Sequence, residues 1–547
     1  MDDRLRGVEP TVRELEQSLR AVERRLAVVE QALAVSAYAA SPASLPHPAS
    51  PAEDRAAAPV PRSAHDPAII LSYVGRTFVA LGGAYLLRAL TDSAVVPQAG
   101  GIALGLTYAL LWLAMADRTA AAGRRLSAVF HGLVCGMIAF PLIWEAVSRF
   151  HLIGPEAAAG AVTAATALML AVALRQRLQT LAWIAVVPAL GTLIALVAAT
   201  GSVLPFAVAA IALALGTLWI GYAADWVLLR WPATLVADLL VLALAARVSS
   251  HSWPDPPASI IAVQLLLLAG FVASVVARTL IRGRDVIAFE VVQTGAALLV
   301  GFGGALYVAQ STGSGAQALS GINLAVGAAC YGVALAFVAR RQGLHRNFHF
   351  YTSLGLVLVL VSTALLLTAG TVTILWTLLA VLAAWLAART HRTTLSLHAA
   401  VYLIAAATAS GLLSSATIAL VGSAAAAWTP VSAVQLLVIA GALACWAMPI
   451  PSGGDSSEFV GRMPRLLIAM VASWAICGWM VGVLAPPLSG VPGHGADAGV
   501  VATVRTSVLA AAALLLAWAG RHARFRESVW LLYPLLVAGG LKLLVED

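Results

Sequence analysis

Lysine is almost missing from this chain: its 547 residues hold one, Lys542, and no Gly-Lys pair. That excludes a phosphate-binding loop of the Walker type, which needs a lysine next to its glycine to reach the phosphates. Cysteine is scarce as well. Cys135, Cys330, Cys445 and Cys477 stand singly inside apolar stretches, without the paired spacing of a zinc site or a secreted disulfide framework, and read as small apolar fillers. No HExxH, GxSxG or DxxD-like carboxylate pair occurs, so no catalytic residue, metal site or cofactor is expected. An apolar core is also lacking in the first 67 residues, so no cleavable signal peptide is expected and the first span should act as an uncleaved signal anchor.

Charge is the largest deficit. Only 11% of residues are charged and 61% are hydrophobic, where soluble proteins carry roughly a quarter charged residues. With a mean hydropathy of +0.91, a water-soluble fold is excluded. The formal charge of +8 comes from arginines scattered in ones to threes between apolar stretches. A nucleic-acid surface would cluster them among aromatic residues, so no nucleic-acid partner is expected.

What is present begins with a heptad seam. Leu5, Val8, Val12, Leu15, Leu19, Val22, Leu26, Val29 and Leu33 alternate at three and four residues. Thr11 and Glu14 after Pro10 have capping-box spacing, so the coil should start there and run to about Val35. With Val12 at an a position, Arg25 at g can reach Glu30 at e of a parallel second copy. Residues 12–35 are therefore expected either to form a homo-oligomer or to lie as an amphipathic helix on the chain's own membrane domain. Residues 36–67 change to Ala, Ser and Pro and read as a disordered, extended linker.

From 68 to 547 the chain reads as an all-α polytopic bundle. A helix needs about 20 residues to cross roughly 30 Å of hydrocarbon. On that length about 17 spans are expected, the first over 68–90, the third over 126–147, the seventh over 227–248, the ninth over 286–308 and the last over 528–545. Alternate loops hold Arg118, Arg124 and Arg125; Arg175 and Arg177; Arg230; Arg278, Arg282 and Arg284; Arg340, Arg341 and Arg346; Arg389 and Arg392. Because arginine concentrates on the cytoplasmic side, the N-terminus is expected inside. The 13 residues from Ala416 to Trp428 are too short to cross, and reading them as re-entrant or interfacial keeps Arg462, Arg465, Arg521, Arg524 and Arg526 inside and the C-terminus outside.

An ionisable group in hydrocarbon costs a few kcal/mol and needs a partner or a purpose. Asp238, in the middle of the seventh span, is expected to be a proton or cation site in a polar cavity, or to pair with an arginine of another helix. Glu290, near Arg284 and on one face with Gln293, is expected to snorkel. Glu145 and Arg149 have the spacing of a helical ion pair, and Arg88 has Asp92 one turn on. Arg76 lies deeper in the first span and suits an anionic lipid or glycan headgroup, or a partner such as Asp238. Lys542 reads as snorkelling, with Glu546 four residues on. His131 and His398, near span ends, read as structural.

The run Tyr73-Val-Gly-Arg76 followed by Gly82-Gly83 and Arg88, with Leu541-Lys542-Leu543 before Asp547, resembles a family of uncharacterised bacterial multi-pass predicted membrane proteins with an N-terminal coiled coil and a Pro/Ala linker. The resemblance covers nearly the whole chain and implies a bacterial inner-membrane location. It implies no reaction. The functions expected are transport or holding of a cell-envelope lipid or glycan among membrane lipids, a scaffold for envelope assembly, or an intramembrane transferase using an acid such as Glu145.

Overall fold

The computed structural model describes residues 67–93, 95–249, 255–313, 315–338, 345–422, 431–449, 458–488 and 497–545. The expected coil, its capping box and residues 36–66 of the linker lie outside them. The chain divides into Met1–Ile69 and Ile70–Asp547.

Helices account for nearly all described residues, and no strand occurs among them. The first half holds α1 (Pro67–Asp92), α2 (Gln98–Ala121), α3 (Arg125–Ser148), α4 (Pro155–Arg175), α5 (Gln179–Thr200), α6 (Leu204–Ala224), α7 (Arg230–Ser249) and α8 (Pro257–Val276). Next come α9 (Ala288–Ala297), α10 (Gly304–Ser311), α11 (Ala316–Val333), α12 (His345–Leu366), α13 (Ala369–Thr390) and α14 (Thr393–Ala409). The last are α15 (Leu412–Val421), α16 (Ala433–Ala447), α17 (Glu458–Leu488), α18 (Ala498–Gly520) and α19 (Ser528–Val545). Among the described residues three π-helical segments occur, at Ala277–Ile281, Leu298–Gly303 and Ala334–Val338, the second joining α9 to α10.

Large aliphatic and aromatic side chains cover the outside, among them Leu111, Leu299, Leu514 and Trp518. A soluble protein would bury these groups. Here they meet lipid, and in the interior many alanines, glycines and threonines let helix backbones approach closely between larger side chains such as Phe140, Phe206 and Leu193. The chain is thus a multi-pass membrane protein. One core runs from α2 to α10 and another from α12 to α17.

Each of the seventeen expected spans falls on a helical stretch, but the count of crossings does not reach seventeen by length and composition. Among the described residues thirteen helical stretches are long and apolar enough, and fourteen if α14 and α15, bent by 70°, make one span. The helix α14 has 17 residues and α16 has 15, both short of full crossing length.

The bend after α14 comes at Gly411, whose φ of +71° places it in the left-handed region that glycine tolerates. Gln435 at the start of α16 donates from Nε2 to the Ser410 carbonyl at 3.0 Å, so the chain re-enters the bundle at the level where α14 left it. In between, α15 descends along α17, where a Cβ at Gly478 would lie 2.5 Å from Ala416 Cα. The helix α15 begins at Leu412, earlier than the expected Ala416, and residues 423–430 lie outside the described part. The two helices make either one broken span or a re-entrant piece.

Candidate functional site

Three polar constellations interrupt the apolar bundle. The first lies between α1, α2 and α3. Gly105 of α2 lets α3 come close, since a Cβ there would sit 2.6 Å from Leu142 Cδ2. In α3, Pro141 has no N–H to offer the Met137 carbonyl, which loses its intrahelical donor. Both residues line a cavity of about 270 Å³ with otherwise mostly apolar walls.

Arg88 and Glu145 stand in that cavity's lining and bond to each other, Arg88 Nη2 to Glu145 Oε1 at 2.8 Å. Arg149 Nη1 reaches Asp92 Oδ1 at 3.2 Å, and Arg88 Nε is 3.9 Å from Asp92 Oδ2. The expected Glu145–Arg149 pair along one helix does not form. Helix α1 brings Arg88 and Asp92 beside α3 and each charge takes a partner across the interface. The side chains of Arg88 and Arg149 are 43% and 47% exposed, so solvent-screened pairs of this kind contribute at most about 1 kcal/mol each. They do not explain why a cavity opens beside them. Two cations and two carboxylates next to apolar walls can receive a polar headgroup while the walls receive hydrocarbon.

The second constellation lies among α6, α7, α8 and α9. Asp238 of α7 accepts two hydrogen bonds at 3.0 Å, one on each oxygen, from Gln293 Nε2 of α9. The arginine partner expected under the structural reading is absent; a neutral amide takes its place. Glu290 is not snorkelling either. Only 2% exposed, it accepts from Arg278 Nη1 and from the Ile287 N–H, each at 2.8 Å on Oε2, and from the Tyr222 hydroxyl on Oε1. Its cation is Arg278, on the π-helical segment after α8, and not Arg284.

Deeper in the bundle, Gln264 of α8 is fully buried, and neither its amide nitrogen nor its oxygen has a hydrogen-bond partner. Gly304 faces it so closely that a Cβ there would lie 2.6 Å from Gln264 Nε2. From Glu290 to Gly304 is fourteen residues, so polar groups follow this rod for roughly 20 Å at the α-helical rise. The π-helical turn at Leu298–Gly303 lies within that stretch.

These partners set an order of stability that thermal unfolding of the purified protein in detergent can measure. Asp238→Asn keeps an acceptor for Gln293 and should cost no more than about 1 kcal/mol. Glu290→Gln leaves Arg278 without its counter-charge and should cost about 3 kcal/mol. Equal shifts for the two variants would mean that Asp238 is held by a charge after all.

The third constellation escaped the sequence reading. Arg505 of α18, 2% exposed, donates from Nε to the Ala419 carbonyl at 2.8 Å and from Nη2 to the Gly422 carbonyl. It thereby serves the C-terminal carbonyls of α15, which no helical N–H can reach. Glu527, just before α19, is completely buried against Arg462 and Arg465 of α17 and accepts from Trp446 Nε1 at 3.1 Å. Arg465 also donates to the Trp446 and Arg524 carbonyls. The signal for Arg505 was legible, for it is the one charged residue between Asp497 and Arg521. Glu527 gave none, since it looks like one more charge in the run Arg521 to Glu527.

The side chains of Arg76 and Lys542 lie outside the described residues, although both positions fall within helices, α1 and α19. His398 is buried with Tyr331 Oη 3.0 Å from Nδ1, and His131 Nδ1 lies 3.3 Å from Thr119 Oγ1. The structure therefore brings together Arg88 with Glu145, and Asp238 with the Gln293 face of Glu290, as two separate groups. No family model, curated protein or solved structure matches the chain.

Proposed function

We propose that this membrane protein holds or moves an amphiphilic envelope substrate, a lipid or lipid-linked glycan, with hydrocarbon in the cavity between α1, α2 and α3 and the headgroup at Arg88 and Glu145. One observation carries the reading: an apolar cavity of about 270 Å³ has two of the sequence's candidate residues, of opposite charge, in its lining. That volume is near the lower end of small-molecule sites, which suits a stretch of acyl chain better than a whole lipid. The placement in a bacterial inner membrane, with the N-terminus cytoplasmic, belongs to the same proposal and rests on the arginine pattern and the family resemblance. So do the seventeen crossings and the external C-terminus. In that orientation the cavity's charged end faces outward, where an envelope intermediate would be received or released.

A photoreactive residue placed at Tyr85, which lines the cavity, tests the proposal in native membranes. Lipid labelling there should exceed labelling from an equally lipid-exposed position such as Leu515, and should fall roughly tenfold in the Arg88→Gln, Glu145→Gln double variant, as loss of a charge-assisted headgroup contact implies. Labelling that matches Leu515, or that ignores the double substitution, would reject it.

A further inference from the structure

The second constellation contains a charge that the fold does not balance. Arg230 opens α7 and is 4% exposed, yet among the described residues its guanidinium has no ion pair and no hydrogen bond, and its Nε is fully enclosed without a partner there. It lies with Cζ 4.2 Å above the Phe289 ring. The charged groups that act on it are Glu290, which attracts, and Arg278, which repels. Glu290 is already occupied by Arg278, Tyr222 and the Ile287 N–H. Asp238 stands eight residues further along α7, about 12 Å at the helical rise, and is held by Gln293. Buried Arg230 and part-buried Arg278 against the one carboxylate of Glu290 leave one positive charge in excess, and a buried charge without a counter-charge is costly.

The surroundings are arranged for an anion. Arg278 lies over the Tyr222 ring at 5.0 Å and Arg282 over the Trp219 ring at 5.1 Å, so aromatic faces hold these guanidinium groups as Phe289 holds Arg230. On the other side Gly221 adds no side chain: a Cβ there would already be in van der Waals contact with the Trp226 carbonyl oxygen at 3.7 Å, Arg230 Cδ at 3.9 Å and Nη1 at 4.0 Å. An arginine held over an aromatic ring, with N–H groups unused, presents a planar fork that matches two phosphate oxygens. A lysine in the same place would offer a point charge and no such match.

We infer that Arg230, assisted by Arg278 with Arg282 at the rim, is a binding site for a phosphate group, and that a singly charged phosphodiester balances the excess charge. The chemistry is common to an anionic phospholipid headgroup and to free phosphate. The site is independent of the cavity at Arg88 and Glu145, being built on α6 to α9 and not on α1 to α3.

The test uses the full-length protein in phosphatidylcholine nanodiscs, titrated separately with short-chain phosphatidylglycerol and with inorganic phosphate, binding being read by calorimetry. At least one of the two should bind, and Arg230→Gln should weaken it tenfold or more, in line with loss of a bidentate charge-assisted contact. Arg230→Lys keeps the charge and the fold and should weaken it several-fold, which keeps the proposal open to test if the glutamine variant does not fold. Binding of phosphatidylglycerol alone would identify a lipid headgroup as the ligand, and binding of phosphate as well would identify the bare group. The Arg88→Gln, Glu145→Gln double variant should bind as the parent does, so failure of the cavity reading and failure of this one are distinguishable. The inference falls if neither probe binds, or if both Arg230 variants bind with parental affinity.

Discussion

Glu527→Ala should be the most damaging single substitution outside the lipid-facing surface, lowering stability by about 3 to 5 kcal/mol. The carboxylate is completely buried and lies 3.2 Å from both Arg462 and Arg465, whose side chains are 14% and 6% exposed. Removing it leaves two guanidinium groups enclosed with no opposite charge. The cost is that of stranded charge, larger than the net worth of the ion pairs, because both partners lost their water on folding whether or not the carboxylate is there. Arg465 would still hold the Trp446 and Arg524 carbonyls, so the junction of α16, α17 and the start of α19 should loosen instead of coming apart. Glu527→Gln keeps an acceptor for Trp446 and should recover only part of the loss. Thermal unfolding in detergent, with folded yield from membranes as a second reading, is the measurement. A glutamine variant as stable as the parent would show that the carboxylate acts as an acceptor and not as a charge.

Arg505→Leu should cost about 3 kcal/mol or more, since it strips donors from carbonyls buried where water does not reach. Leucine suits the apolar span α18 better than arginine, so hydropathy alone forecasts the opposite sign. The geometry decides against hydropathy. The Ala419 and Gly422 carbonyls lie at the end of α15, which stops at Val421 with Gly422 extended, so no N–H of that helix donates to them. Arg505→Lys supplies one compact donor group in place of a fork and should lose less than the leucine variant. Alongside the thermal midpoint, a cysteine at Ser415 should react faster with a thiol reagent in the leucine variant, because α15 then lacks its anchor. An unchanged midpoint and unchanged reactivity would mean that the contact with α17 alone holds the excursion.

Much of this architecture could be read from residue order because a bilayer imposes one requirement on every crossing segment. Each must satisfy its own backbone hydrogen bonds and present apolar side chains, and both properties are local in sequence. That is why the apolar runs at 98–121 and 204–224 lie as helices over the expected spans, and why the 13 residues from Ala416 to Trp428 read as re-entrant or interfacial. The small residues gave weaker signals. Gly105 and Gly304 are sites of close helix approach and belong to the small-xxx-small groups at 100, 101 and 105 and at 301, 303 and 304, yet in so alanine-rich a chain that pattern is nearly free and carries little weight.

The charged groups were legible as types and illegible as pairs. Asp238, Glu290, Glu145 and Arg88 declared themselves by standing in or beside apolar stretches, where an ionisable side chain demands an explanation. Their partners did not. Glu145 chose Arg88 across a helix interface over Arg149 one turn away, Glu290 chose Arg278 over Arg284, and Asp238 found Gln293 where the readings were a proton or cation site or an arginine partner. Sequence by itself determined which segments enter the membrane, because that depends on the solvent each residue prefers. Only the tertiary structure decided which charges meet and which one, Arg230, is left over, because a side chain's reach is a few ångströms and helix packing alone sets what lies within it.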